Sequence, residues 1–274
     1  MIIRIMFNRT KMSKKKGIIY RPDGPALEYS PWGCNLYRGC SHGCTYCYLK
    51  RGFLKKSLGG NTPILEKKAG RTQAEAFQNF RKELDANRVS IIADGGIFFS
   101  FATDPMLHET IDLTLQCASY AMSHGVPVQI LTKATWWAKD HMLLSNLFIY
   151  RHLLRIGFTL TGHDEKEPGA PSNRERIEVM RKLHDIKITT FASIEPVIDF
   201  VASLEMIFAI KDICPEIRIG LLSPYSPKRY DWNQCDRFVD KVTEVANHEG
   251  ITVHWKESIN RFFREANPEH LHAD

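Results

Sequence analysis

An α/β fold built as a partial (β/α)6 barrel is predicted for this chain on three observations. Strand-like and helical patterns alternate from residue 73 to residue 255, which is the signature of parallel strands joined by crossover helices. The strand-like runs are short, apolar and bounded by Gly, Pro and polar residues. The chain has 274 residues, room for one large domain or two small ones. A closed barrel of eight units usually needs about 250 residues. The first 80 residues contribute at most one clear unit, so an incomplete barrel of about six or seven units fits better.

The elements follow in order. Residues 10–30 are polar and carry Pro22, Gly24 and Pro25, a surface-wrapping stretch, and a first strand is expected near residues 27–36. Residues 49–72 are basic and Gly-containing, a loop or short helix. Helical spacing covers 73–87, and 90–101 (SIIADGGIFFSF) contains strand-like runs. Then come a helix over 109–124 stopped at Gly125, a strand over 127–132, a helix over 136–146 and a strand over 153–160. Ser172 is the candidate N-cap of a helix over 173–185. Strands over 187–194, 217–222 and 251–255 alternate with helices over 203–213 and 231–249, the last ending at Gly250. The expected organisation is an N-terminal extension over 1–26, a barrel core over 27–255 and a C-terminal tail over 256–274. Met12 opens a second plausible start, which would make residues 1–11 an upstream extension. In any barrel of this kind, functional residues lie just after the carboxyl ends of the strands.

Composition excludes several classes. Hydrophobic residues make up 43% and charged residues 25%, ordinary globular values that argue against disorder, collagen or coiled coil for the bulk of the chain. No apolar run reaches the length of about 18 residues that a membrane span requires, and the N-terminus lacks the order of a secretory signal, so a cytoplasmic protein is expected. The net charge of +6 is uneven: residues 1–82 hold 17 basic and 4 acidic side chains, and the remainder 20 and 27. A basic front half suits a polyanion such as nucleic acid through phosphate neutralisation. It equally suits a solvated lysine-rich surface.

Of seven cysteines, Cys117, Cys214 and Cys235 are scattered and read as small buried hydrophobes. The other four cluster in residues 34–47. An odd count in a chain with no export signal argues against a disulfide framework. The core, Cys40-x3-Cys44-x2-Cys47, lets three thiolates of one loop surround a soft metal centre, with Gly39 and Gly43 allowing the tight turn. A closed zinc site needs a fourth ligand, and Cys34 or His42 could supply it. Three cysteines on a cubane cluster instead leave one iron without a protein ligand, and an open iron is a place for chemistry.

That spacing, with Tyr46 before the last cysteine, resembles the signature of the radical S-adenosylmethionine (radical SAM) enzymes. The string YSPWGCNLYRGCSHGCTYCY resembles their spore photoproduct lyase-like, or DNA repair photolyase-like, branch. The resemblance continues through FATDPMLHET (101–110), ILTKATWWAKD (130–140) and EPGAPSNRERIEVMRKL (167–183), and covers roughly residues 28–200. It implies a partial TIM-like barrel of the radical SAM type. It implies a [4Fe–4S] cluster on Cys40, Cys44 and Cys47, with S-adenosylmethionine chelated at the fourth iron. One-electron cleavage would then give a 5′-deoxyadenosyl radical that takes hydrogen from the substrate, fed by a low-potential flavodoxin- or ferredoxin-type donor.

The resemblance also suggests roles around the cluster. Tyr46 would sit near the adenine and Tyr48 against the cluster face. Ser100, Thr103 and Asp104, placed after a strand, could bond the amino group or ribose, although Asp104 could instead cap the next helix. Lys133 would partner the methionine carboxylate, and Arg176 could bind the same group bidentately. Glu195 and Asp199 flank a strand end and could face substrate. The branch's lyases are expected to place a hydrogen-donating cysteine near the end of the second strand, but FFSFATDP (98–105) has none. A tyrosine such as Tyr37, Tyr46 or Tyr225 is the alternative donor. Nucleic acid is the leading substrate class. The other readings are a radical SAM enzyme on a peptide or small metabolite, and a zinc-binding basic module.

Overall fold

The computed structural model describes residues 17–52 and 54–266, so the Met12 start and the outer ends of both terminal segments lie outside the described residues. In chain order the elements are β1 (Ile19–Tyr20), β2 (Gly33–Cys34), β3 (Tyr37–Arg38), α1 (Leu54–Ser57), β4 (Ile64–Leu65) and α2 (Gln73–Ala93). The alternating part follows as β5 (Ile97–Phe99), α3 (Ile111–Ser123), β6 (Val128–Thr132), α4 (His141–Ile149), β7 (Leu154–Thr159) and α5 (Asn173–Asp185). It continues through β8 (Thr189–Val197), α6 (Phe200–Ile210), β9 (Glu216–Leu221), α7 (Trp232–Glu249), β10 (Thr252–Trp255) and α8 (Glu257–Ala266).

The main sheet has eight strands in the order β1-β2-β5-β6-β7-β8-β9-β10. Every pairing from β2 to β10 is parallel, and only β1 runs antiparallel, against β2. The sheet has two ends, as expected of a partial barrel. Six strand–helix units run from β2 to α7, and β10 with α8 adds one more at the far edge. The central parallel strands β6 to β9 are buried along most of their length, which explains their nearly unbroken apolar runs, whereas the edge strand β10 is partly exposed.

Helix boundaries follow cap chemistry. Ser172 and Glu175 form the reciprocal capping box of α5. Asp199 and Asp231 cap α6 and α7, and Gly250 ends α7 in the left-handed conformation. The helix expected over 73–87 runs on to Ala93, because Ile91 continues the buried stripe of Ala76, Phe80 and Leu84; β5 starts only after Gly95 and Gly96. The strand expected over 27–36 is a two-residue strand preceded by a 3₁₀ turn over Gly24–Glu28. The helix expected from 136 is a 3₁₀ turn followed by α4, because Asp140 accepts from the Met142 and Leu143 amides and restarts the helix.

The terminal segments contribute to the core. The N-terminal extension supplies β1, and the amides of Ile19 and of Ile18 just before it donate to Glu83 of α2. The expected tail supplies α8, with Ile259 and Phe262 buried and Ser258 Oγ accepting from the Leu221 amide at 2.9 Å. The gap between β10 and β1 is spanned by residues 24–29. Arg218 donates to the Tyr29 carbonyl at 3.0 Å, Lys256 lies 3.4 Å from the Glu28 carboxylate, and the Glu257 amide donates to that carboxylate at 2.5 Å.

Candidate active site

The cysteine loop lies at the carboxyl ends of the strands, pressed between the loops that follow β5 and β7. Gly39 and Gly43 turn it with φ of +81° and +70°. On the β5 side, the Gly39 amide donates to the Ala102 carbonyl at 3.0 Å and the Thr103 hydroxyl donates to the Gly39 carbonyl. On the β7 side, the Thr45 amide donates to the Lys166 carbonyl and the Gly169 amide to the His42 carbonyl, both at 2.8 Å. A Cβ on Gly169 would stand 2.6 Å from the Ser41 carbonyl oxygen, so only glycine allows this approach.

Asp104 is the hub of the arrangement. Oδ1 accepts from the Thr132 hydroxyl at 2.7 Å and the Met106 amide at 2.9 Å. Oδ2 accepts from the Lys133 amide at 2.7 Å and lies 2.8 Å from His42 Nε2. One carboxylate thus ties the cysteine loop to the end of β6. Burial pushes the Asp104 carboxyl up, but the His42 charge and these donors outweigh it and hold it down at about 2. His42 Nδ1 faces the Gly169 carbonyl at 3.1 Å, so both ring nitrogens already have acceptors within the protein. His42 is therefore not poised to complete a closed zinc site. Cys34 is fully buried on β2, away from the loop's open face.

Beside the thiols stand Tyr46, Lys133 and Glu167. The Tyr46 hydroxyl donates to Glu167; Lys133 Nζ is 3.9 Å from Glu167 Oε1 and 5.7 Å from the Tyr46 ring centroid. Burial and the Glu167 charge push the Tyr46 phenol far up. Burial works to lower the Lys133 ammonium, but the Cys44 sulfur, where ionised, and the Glu167 carboxylate reverse it and raise it. Burial pushes the Cys40 thiol up to about 12 and the Cys44 thiol upward as well.

Arg176 is not where a ligand carboxylate could reach it. Its side chain is 0% exposed and donates to the Thr159 and Pro171 carbonyls at 2.9 and 2.6 Å. Nη2 lies 2.5 Å from Glu167 Oε2, so Arg176 braces Glu167 from behind. Ser100 donates to Asn35 and the Thr103 carbonyl, and the Thr103 hydroxyl is spent on the loop; both shape the loop rather than offer free groups. The Tyr48 hydroxyl donates to the Phe101 carbonyl and its side chain remains exposed at the barrel mouth. Tyr37 and Tyr225 point elsewhere, to Gln73 of α2 and Arg261 of α8. Glu167 is the residue sequence reasoning passed over, and His42, read only as a possible zinc ligand, instead pairs with Asp104. Glu167 follows β7, the position after a strand where site residues concentrate.

The donor set fits an iron–sulfur cubane. Three free thiols lie on one short loop, soft donors of the kind such clusters use. Each would bind a different iron, so they need not converge on one point. Among the described residues no three His, Cys, Asp or Glu side chains converge to hold a single ion.

The family model of the radical SAM superfamily matches residues 34–199, and the chain belongs to that superfamily. Its members use a [4Fe–4S] cluster and S-adenosylmethionine and need an electron donor. Among solved structures, the chain is similar to a spore photoproduct lyase complexed with dinucleoside spore photoproduct: 13% identity, TM-score 0.57, covering 86% of this chain and 78% of that one. It is also similar to Streptococcus suis SuiB bound to S-adenosylmethionine: 12% identity, TM-score 0.55, covering 85% of this chain and 51% of that one. At these identities the likeness is one of fold. A curated relative, the uncharacterized protein ORF301 of Acidianus two-tailed virus, is 22% identical over 171 residues. That match covers 61% of this chain and 56% of the relative's own length.

Proposed function

We propose that this chain is a radical SAM enzyme acting on a nucleic acid or nucleotide, with Cys40, Cys44 and Cys47 as the ligands of its cluster. The observation that carries the chemistry is the clamped three-cysteine loop with Lys133, Tyr46 and Glu167 gathered against it. Bound there, the cluster and S-adenosylmethionine supply one-electron cleavage of the sulfonium and hydrogen abstraction from the substrate. Lys133, half-buried and kept charged by its neighbours, binds the methionine carboxylate. Tyr46, locked to Glu167, holds one wall of the pocket for the adenosyl group. Arg176 keeps Glu167 in place. Thr103 and Asp104 fix the loop that carries the thiols, Ser100 fixes the turn beneath it, and Tyr48 covers the mouth.

Two observations support the substrate class. Lys50, Arg51, Lys55 and Lys56 follow the last cysteine directly, and both Lys55 and Lys56 are exposed, so the rim beside the cluster loop is basic, as phosphate contacts require. The similar lyase structure contains a dinucleoside ligand. The electron is delivered by a flavodoxin- or ferredoxin-type partner. Among the described residues no helix is long and apolar enough to cross a membrane.

The test is oxygen-free reconstitution with S-adenosylmethionine and reductant, following 5′-deoxyadenosine with and without single-stranded DNA and RNA over a salt series. The proposal predicts product, more of it with one nucleic acid, and binding that weakens as salt rises. Product that forms but ignores both polymers, with no salt-dependent binding, would point to a peptide or small metabolite instead.

A further inference from the structure

Beyond the cluster loop, the interior of the barrel holds a second organised polar group. The Tyr29 hydroxyl donates to Glu195 Oε2 at 2.6 Å and, its proton being so used, accepts from Ser193 Oγ at 2.7 Å. Lys256 Nζ donates to the same Oε2 at 2.6 Å and sits 4.2 Å from the Tyr29 ring centroid. Ser193 and Glu195 lie on one face of β8, while Ile194 and Val197 join the hydrophobic core. The β8–β9 register shifts between Ile194 and Val197, the kind of irregularity that re-aims a side chain at a strand end. Gly220 of β9 makes the space: a Cβ there would stand 2.9 Å from Glu195 Oε1 and from Lys256 Cδ. Glu195 is thus pinned through one oxygen, and among the described residues nothing donates to the other.

An aromatic wall stands across from it. The Phe98 and Phe101 rings stack at 4.5 Å, and Tyr29 meets Phe98 at 5.2 Å and Phe101 at 6.1 Å. Tyr20 lies on the same side: a Cβ on Gly33 would touch the Phe101 ring at 2.9 Å and Tyr20 Cζ at 3.4 Å. Tyr48 hangs from the Phe101 carbonyl at the rim. Tyr20, Tyr29 and Phe101 are each only partly buried, so ring surface remains available, and the wall begins where the cysteine loop ends.

A fixed acceptor beside a partly exposed aromatic surface matches a flat heterocycle that stacks and donates one hydrogen bond. We propose that Glu195, held by Tyr29 and Lys256, is the substrate-anchoring residue of the barrel. Its free oxygen accepts an N–H from a nucleobase whose ring lies on the Tyr20, Tyr29 and Phe101 wall. This rests on the nucleic-acid reading above and adds the group by which the base is held. Tyr29 and Lys256 are positioning residues, acting through Glu195.

Pairs of labelled single-stranded octamers, dT against N3-methyl-dT and dA against N6,N6-dimethyl-dA, test it by fluorescence anisotropy on the reconstituted protein with S-adenosylmethionine. Each methylation deletes N–H donors and leaves phosphates and stacking in place. The wild type is expected to prefer the N–H form of at least one pair by about tenfold, the effect of leaving a partly buried charged acceptor unpaired against the methylated base. Glu195→Ala is expected to abolish that preference while its iron content and circular dichroism match the wild type. Tyr29→Phe is expected to reduce the preference in part, and Phe101→Leu to weaken both members of a pair equally. Octamers that bind with salt dependence but without preference in either pair, or a preference that survives Glu195→Ala, would overturn this assignment and leave the nucleic-acid reading standing. Failure of every octamer to bind at low salt would overturn both.

Discussion

Replacing Asp104 with Asn tests the hub that ties the cysteine loop to the barrel. The carboxylate accepts from Thr132 and Met106 on one oxygen and faces Lys133 N and His42 on the other, all at 2.7–2.9 Å. An amide keeps the shape but offers one acceptor atom. Whichever way it flips, its NH2 group meets a backbone N–H that was donating to the carboxylate, that of Met106 or of Lys133, so that hydrogen bond is lost, its donor is left buried, and the negative charge beside His42 is gone. A hydrogen bond to a charged group contributes about 1.5–3 kcal/mol, and breaking a buried charge pair costs about 3–5 kcal/mol. A loss of roughly 3–5 kcal/mol follows for the apo protein. At about 2–4 °C per kcal/mol for a chain of this size class, Tm falls by roughly 6–20 °C. Urea titration of wild type and variant, with iron content after reconstitution, measures both consequences; iron should fall with stability. A stability change under about 1 kcal/mol with full iron loading would refute the clamp.

Other outcomes follow from the same geometry. Gly169→Ala places a Cβ 2.6 Å from the Ser41 carbonyl oxygen and should cost about 1–3 kcal/mol, with iron retention falling while circular dichroism stays native. Ala at Cys40, Cys44 or Cys47 should abolish iron binding, whereas Cys34→Ala, on a buried strand, should spare it; iron and sulfide assays decide. Lys133→Ala should weaken S-adenosylmethionine binding about tenfold by equilibrium dialysis, with iron intact. His163 lies between Glu165, at 2.9 Å, and Asp199. Burial works to lower its pKa, but the two carboxylates raise it overall. A raised histidine stabilises fully below its unfolded pKa of about 6.5 and loses that contribution as pH climbs through the folded value. Burial works to raise Asp199, but the Ala202 amide and His163 hold it low, so its contribution fades as pH falls through the carboxylate range. His163→Ala should therefore lower Tm most near pH 5–6 and hardly at all above the folded histidine pKa. Because the groups are partly exposed, the effect should stay under about 1 kcal/mol.

Much of the barrel was legible because each strand and helix carries its own signal. Ser172 with Glu175 marked the start of α5, and Gly250 marked the end of α7. The misplaced boundaries share a cause. Residues 90–93 are apolar enough for either state, and only Ile91 landing on the stripe of α2 decides for helix. Pairing over just Gly33–Cys34 decides the first barrel strand. In the site, Cys40, Cys44 and Cys47 stood out by spacing, since one loop holds them all. Lys133 was reachable as the residue after a strand. Arg176 was misplaced because its partner, Glu167, comes from another loop, and only folding shows that the guanidinium turns inward. Tyr29, Glu195 and Lys256 are separated by up to 227 residues in sequence (29 to 256) and no local pattern links them; their meeting depends on Gly220 leaving room between adjacent strands.

The central claim is that the three-cysteine loop holds a cubane with one iron left for S-adenosylmethionine. Electron paramagnetic resonance of the oxygen-free, reduced protein before and after adding that cofactor tests it most directly. The account predicts about four irons and four sulfides per chain and a cluster signal that changes when the cofactor binds. A colourless protein with one tightly held zinc, or a cluster signal indifferent to the cofactor, would contradict it.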